Sequence, residues 1–69
     1  MPEGTAQIRW VAAQDVQVGQ RIVLMHGLER VDFVAEGYEE DTVVLTTERA
    51  NGTLTAHPMG RTRTVAVIA

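Results

Sequence analysis

Apolar residues recur at every second position in short runs along this chain, and no window of eleven or more residues sustains the 3.6-residue period of a helix. Six runs stand out, each bounded by turn-forming residues. Residues 7–12 put Ile8, Trp10 and Ala12 on one face, and residues 20–26 put Ile22 and Leu24 together. Residues 30–38 align Val31, Phe33, Ala35 and Gly37, while residues 42–49 align Val43, Leu45 and Thr47. Residues 53–57 align Leu54 and Ala56, and residues 62–68 align Val65 and Val67. Residues 13–18 have room for a single 3₁₀ turn. The pattern predicts an all-β domain whose core is anchored by Trp10, packed with Ile8, Phe33 and Leu45.

The connections carry their own expectations. Asn51-Gly52 is a strong two-residue hairpin signal, because a type I′ turn needs positive φ at both central positions. That loop would set Thr47 opposite Ala56 and Arg49 opposite Leu54, bringing Val43, Leu45, Leu54 and Ala56 to one face. A two-residue loop at His26-Gly27 would set Ile22 opposite Val31 and Arg21 opposite Asp32, one apolar and one opposite-charge pair. Between the third and fourth runs, parity favours the three-residue loop Glu39-Glu40-Asp41, or a bulge at Gly37. Three consecutive hairpins flanked by a strand at each end predict a five- to six-stranded antiparallel meander. A sheet so short must curl into a small barrel or roll to bury its apolar face.

Asp15-Val16-Gln17-Val18-Gly19-Gln20-Arg21-Ile22 resembles the opening of SH3-like small β-barrels, where Asp, two alternating hydrophobic residues and Gly precede a strand. KOW-type ribosome-associated modules and Hint domains open similarly. Gln20 stands where those families carry an acidic residue, and the chain has neither a Cys or Ser at a Hint splice position nor the glycine- and lysine-rich second half of a KOW module. The resemblance implies a barrel-like fold and transfers no activity. The arginine-only, Val/Thr/Ala/Gly-rich composition is similar to that of small proteins of high-GC bacteria and their phages.

Composition narrows the chemistry. Val, Thr and Ile fill 21 of the 69 positions, and Ser, Cys and Lys are absent. The usual nucleophiles, thiolate ligands and Schiff-base amine are therefore missing, and no disulfide can staple the fold. The length implies one domain spanning residues 1–69. Residues 1–4 show neither the basic nor the apolar region of a signal peptide, and no run approaches the ~20 apolar residues of a membrane span, so a cytoplasmic location is expected. The net charge of −3 is unevenly spread. Residues 1–28 balance Arg9 and Arg21 against Glu3 and Asp15. Residues 29–48 set seven acids against Arg30, giving −6, and residues 49–69 carry Arg49, Arg61 and Arg63 without an acid, giving +3.

Each candidate site competes with a plainer role. His26 and His57 would need to converge with carboxylates to hold a metal; the expected register turns His57 outward opposite Thr46, and no metal or other cofactor is expected. Glu36, Glu39, Glu40 and Asp41 crowd one loop without the alternating ligand spacing of a Ca²⁺ site, so a solvated turn is expected, with an electrostatic docking patch for a basic partner as a further alternative. Arg61 and Arg63, two apart on one strand, project to the same side and with Arg9 form a candidate grip on anions or nucleic-acid phosphates; simple charge balance against the acidic middle is the favoured role. Exposed aromatics for base stacking are not expected, because Trp10 and Phe33 fall on core parity. The strongest functional hint is the opposite face, where Val11, Val23, Met25, Val34, Val44, Met59 and Ile68 are expected to point outward. Of these, Val23, Met25, Val34, Val44, Met59 and Ile68 form the candidate interface with a protein partner or a second copy. The expected function is therefore a non-enzymatic interaction module, with a nucleic-acid-binding barrel as the alternative.

Overall fold

The computed structural model describes residues 7–25 and 27–68. Six antiparallel strands form one sheet: β1 (Ile8–Ala12), β2 (Arg21–Leu24), β3 (Gly27–Glu36), β4 (Thr42–Glu48), β5 (Leu54–Gly60) and β6 (Thr64–Ile68). The single 3₁₀ turn, Ala13–Asp15, follows β1. The all-β class and every run read from the sequence are present. No helix among the described residues is long and apolar enough to cross a membrane.

Strands β2 to β5 form the expected meander, but β6 inserts between β1 and β2, giving the order β1-β6-β2-β3-β4-β5. Among the described residues the edges are therefore β1 and β5, which do not pair with each other, so the sheet curls without closing into a hydrogen-bonded barrel. Curling brings Ile22, Val31, Val43, Leu45, Val65 and Val67 into one buried cluster, although β6 and β4 are separated in the sheet by two strands. The 3₁₀ turn is tied across the roll: the Ala13 and Gln14 N–H groups donate to the carbonyls of Arg63 (2.8 Å) and Arg61 (3.0 Å). Ala13 and Val16 thereby join the core.

The hairpins differ from expectation in ways that decide which side chains are inside. At β4–β5 the loop holds three residues, Ala50-Asn51-Gly52, with Arg49 N–H bonded to the Thr53 carbonyl (2.9 Å) and Gly52 at φ +88°. Three-residue loops of this kind place the glycine in the left-handed region. Thr47 consequently faces Thr55 and not Ala56. A slip of one residue turns a whole strand over, so His57 and Met59 point inward while Leu54 and Ala56 point outward. At β3–β4 the loop holds four residues, closed by Gly37 N–H to the Thr42 carbonyl (2.9 Å), and the irregularity lies between Val31 and Phe33, with Asp32 as the extra residue. This bulge reverses parity along the rest of β3: Val34 packs on the core and Phe33 is 59% exposed. At β2–β3 the shift is by two residues, Ile22 facing Glu29 and Arg21 facing Arg30, so both Ile22 and Val31 stay inside as expected.

β1 also presents the other face. Its register with β6 sets Val11 opposite the buried Val65 and Trp10 opposite Ala66. Trp10 is 69% exposed and Ile8 about half exposed, so neither anchors the core. The buried apolar cluster is aliphatic, built by Ile, Val, Leu and Ala.

Candidate functional site

Curling brings a polar cluster to the inner face at the ends of β3, β4 and β5. Glu29 is only 5% exposed. The Thr47 hydroxyl donates to its Oε1, and Arg49 Nε donates to its Oε2 at 3.2 Å. His57 Nε2 lies 3.0 Å from Thr47 Oγ1 and 3.7 Å from Glu29 Oε1. The one hydroxyl proton of Thr47 goes to the carboxylate, so His57 must carry hydrogen on Nε2 and donate it to the threonine oxygen. The Thr47 hydrogen bond, aided by the hydrogen bond and charge of Arg49, holds the Glu29 carboxyl below the usual carboxylate range against the opposing effect of burial. Thr47 is fully buried, which places its hydroxyl beyond reach of a substrate. The cluster is a brace that lets a carboxylate sit inside a small roll.

Sequence reasoning missed this cluster because it turned His57 outward. A signal existed nonetheless: Glu29 lies two residues before Val31 and shares its inward parity. An acid on a core-facing position requires partners, and Thr47 and Arg49 lie on one parity of the strand that pairs with it.

The outer face carries the apolar candidate. The register aligns Trp10 with Ala66 across β1–β6 and Val23 with Leu28 across β2–β3, and β6 and β2 are themselves neighbours. Trp10, Val23 and Leu28 are exposed, and Ala66 is buried among them. One row nearer the chain termini, Ile8 faces Ile68. Where this row meets the start of β6, Trp10, Val23 and Ala66 border a half-open cleft of about 420 Å³ that Pro58, Met59 and Arg63 also line. Of the residues expected on this face, Val23 and Val44 lie on it, as does Ile68, and Met25 stands fully exposed in the adjoining turn. Val11, Val34 and Met59 do not, since they pack against the core. Trp10, Leu28 and Phe33 take their place.

The arginines are dispersed. Arg61 and Arg63 lie in the turn between β5 and β6 and not on a strand. Arg61 is ion-paired with Glu36, Arg49 with Glu29, and Arg30 with Glu48. The basic end thus folds back onto the acidic middle, as charge balance requires. Arg9 sits on β1 with its side chain on the opposite face from Trp10. In the acidic loop, Thr42 Oγ1 donates to the Glu39 carbonyl at 2.5 Å and Tyr38 is fully exposed. His26 lies outside the described residues.

Compared with protein-family models, curated proteins and solved structures, the chain matches none of them.

Proposed function

We propose that this protein is a non-enzymatic interaction module, a small accessory or structural protein of bacterial or phage type, that binds protein through its outer apolar face. The observation that carries this reading is the row Trp10–Ala66–Val23–Leu28, apolar across four neighbouring strands and exposed at three of its four members. A domain this small cannot cover all its apolar surface, yet scattered residues would not align in register. Trp is also the residue type most enriched where interfaces concentrate their binding energy. The SH3-like resemblance is compatible with such a role and adds no site to it.

The nucleic-acid alternative has less beneath it. Trp10 is exposed, against expectation, and borders one cleft with Arg63, but Arg61 is engaged by Glu36 and Arg9 projects from the face opposite Trp10, so no row of arginines and aromatics forms. Salt separates the two: raising it from roughly 50 to 200 mM costs a complex with several phosphate contacts orders of magnitude in affinity, and an apolar contact little.

The test is Val23→Asp. The isolated chain hydrates the new carboxylate at a surface position, whereas a desolvated contact cannot. We expect an unchanged circular dichroism spectrum with loss of association, whether with itself in sedimentation or with a protein captured on the tagged chain. Association that survives Val23→Asp contradicts the proposal.

A further inference from the structure

Resting on that reading, we infer that the partner surface includes the edge of β1 that no other described strand pairs, and that its occupant is β1 of a second copy. The two sheet edges are chemically unequal. Ala13 N–H donates to the Arg63 carbonyl in register with the β1–β6 ladder. In an antiparallel pair such mutual bonding alternates along the strand, so Val11 and Arg9 turn their backbone groups to β6. Ile8, Trp10 and Ala12 turn theirs outward. By the same argument from the Arg49–Thr53 bond, the outward positions of β5 are Leu54, Ala56, Pro58 and Gly60. Pro58 has no N–H to give, so a proline interrupts the β5 edge where a docking strand needs a donor. The β1 edge contains neither a proline nor a glycine.

The occupant follows from the register. Two copies of β1 related by a two-fold axis pair along their full length only if Trp10 faces Trp10 of the second copy. Ile8 then faces Ala12, and all outward donors and acceptors fall in phase, with two bonds at each of these facing pairs. Arg9 faces Val11. Centring the pair on Arg9 would instead oppose two guanidiniums and leave Ala12 unpaired. In the Trp10-centred register the outer apolar row runs unbroken from Leu28 through Val23, Ala66 and Trp10 into its symmetry mate. The contact is isologous and therefore closes at a dimer, while Pro58 keeps the far edges from extending it.

The experiment is light scattering on the full chain across a dilution series, with circular dichroism on every variant. The wild type should double its mass as concentration rises. Trp10→Glu and Trp10→Arg should each be folded monomers, and an equimolar mixture should recover the dimer, which loss of general stickiness would not produce. Trp10→Cys should oxidise to a disulfide dimer, since facing residues in such a pair hold their Cα atoms about 5.5 Å apart, and Ile8→Cys should not. A wild type that is monomeric at every concentration overturns the inference, as does a mixture that stays monomeric. A dimer that survives Trp10→Glu, or one that cross-links through Ile8→Cys in place of Trp10→Cys, also overturns it. A monomeric wild type whose captured partner is lost on Val23→Asp leaves the interaction module standing with a different occupant; failure of that partner test as well removes both.

Discussion

Residue by residue, the energetics invert what side-chain size suggests. The largest side chain lies outside, and the core rests on Ile22, Val31, Leu45 and Val67, each fully buried. Ile22→Ala should therefore cost about 2–5 kcal/mol, a large share of the stability of so small a domain. Trp10→Ala should cost under about 1 kcal/mol in the monomer, as surface changes do. Thermal melts of the two variants in dilute solution check the contrast, and a Trp10→Ala chain that melts like Ile22→Ala would contradict it. The Glu29 cluster gives a second prediction. Because the folded-state pKa of Glu29 is lowered, its contribution to stability is present above the ordinary value of 4.5 and lost as the pH falls through the folded value. Thr47→Val removes the principal cause of that shift and leaves a buried carboxylate oxygen and the His57 donor short of a partner. It should cost about 1–3 kcal/mol near neutrality and move acid unfolding to higher pH. An acid-unfolding midpoint that does not move would show that Thr47 does not hold the carboxylate.

At the scale of elements, stability and orientation depend on single backbone positions. Gly37 closes the β3–β4 loop against Thr42; a Cβ there would lie 1.9 Å from Thr42 Oγ1 and 2.9 Å from its carbonyl carbon. Gly37→Ala must therefore move backbone and should destabilise more than Gly52→Ala, whose Cβ meets open space and whose cost is the left-handed φ, about 1–2 kcal/mol. Denaturant titrations rank the two, and the reverse order would place the loop closure elsewhere. These positions also explain what was legible in the sequence. Alternation located every strand, since it needs only local information. Which face of each strand is buried depends on where an extra residue sits. Asp32 as a bulge and Ala50 as a third loop residue are each invisible to composition, yet the first turns over the rest of β3 and the second turns over β5. Parity therefore gives the faces of Ile22, Val31, Leu45 and Val67 as they stand, and reverses those of Phe33 and Val34, and of Ala56 and His57. The face of β1 escapes local reading for a different reason: its parity is set by pairing with β6, in the last residues of the described chain, and no turn chemistry reports on that.

For the whole molecule, the consequence of those reversals is an aliphatic interior with an aromatic exterior. Trp10, Phe33 and Tyr38 are all exposed, and the first of them sits where the apolar row meets an open sheet edge. Arg49–Glu29 and Arg61–Glu36 offset part of the acidic middle's charge, while Glu39, Glu40 and Asp41 stay grouped in the β3–β4 loop; the proposed partner surface is the apolar face. Trp10 is the only tryptophan in the chain and reports on that face directly. The measurement is its fluorescence emission and accessibility to a soluble quencher, followed from dilute chain into the associated state. The account predicts red-shifted, fully quenchable emission in the dilute monomer, shifting to the blue and becoming shielded as association proceeds. Blue-shifted emission inaccessible to quencher in the monomer would put Trp10 in the core, and quenching unchanged on association would place the contact on another surface; either result contradicts the account.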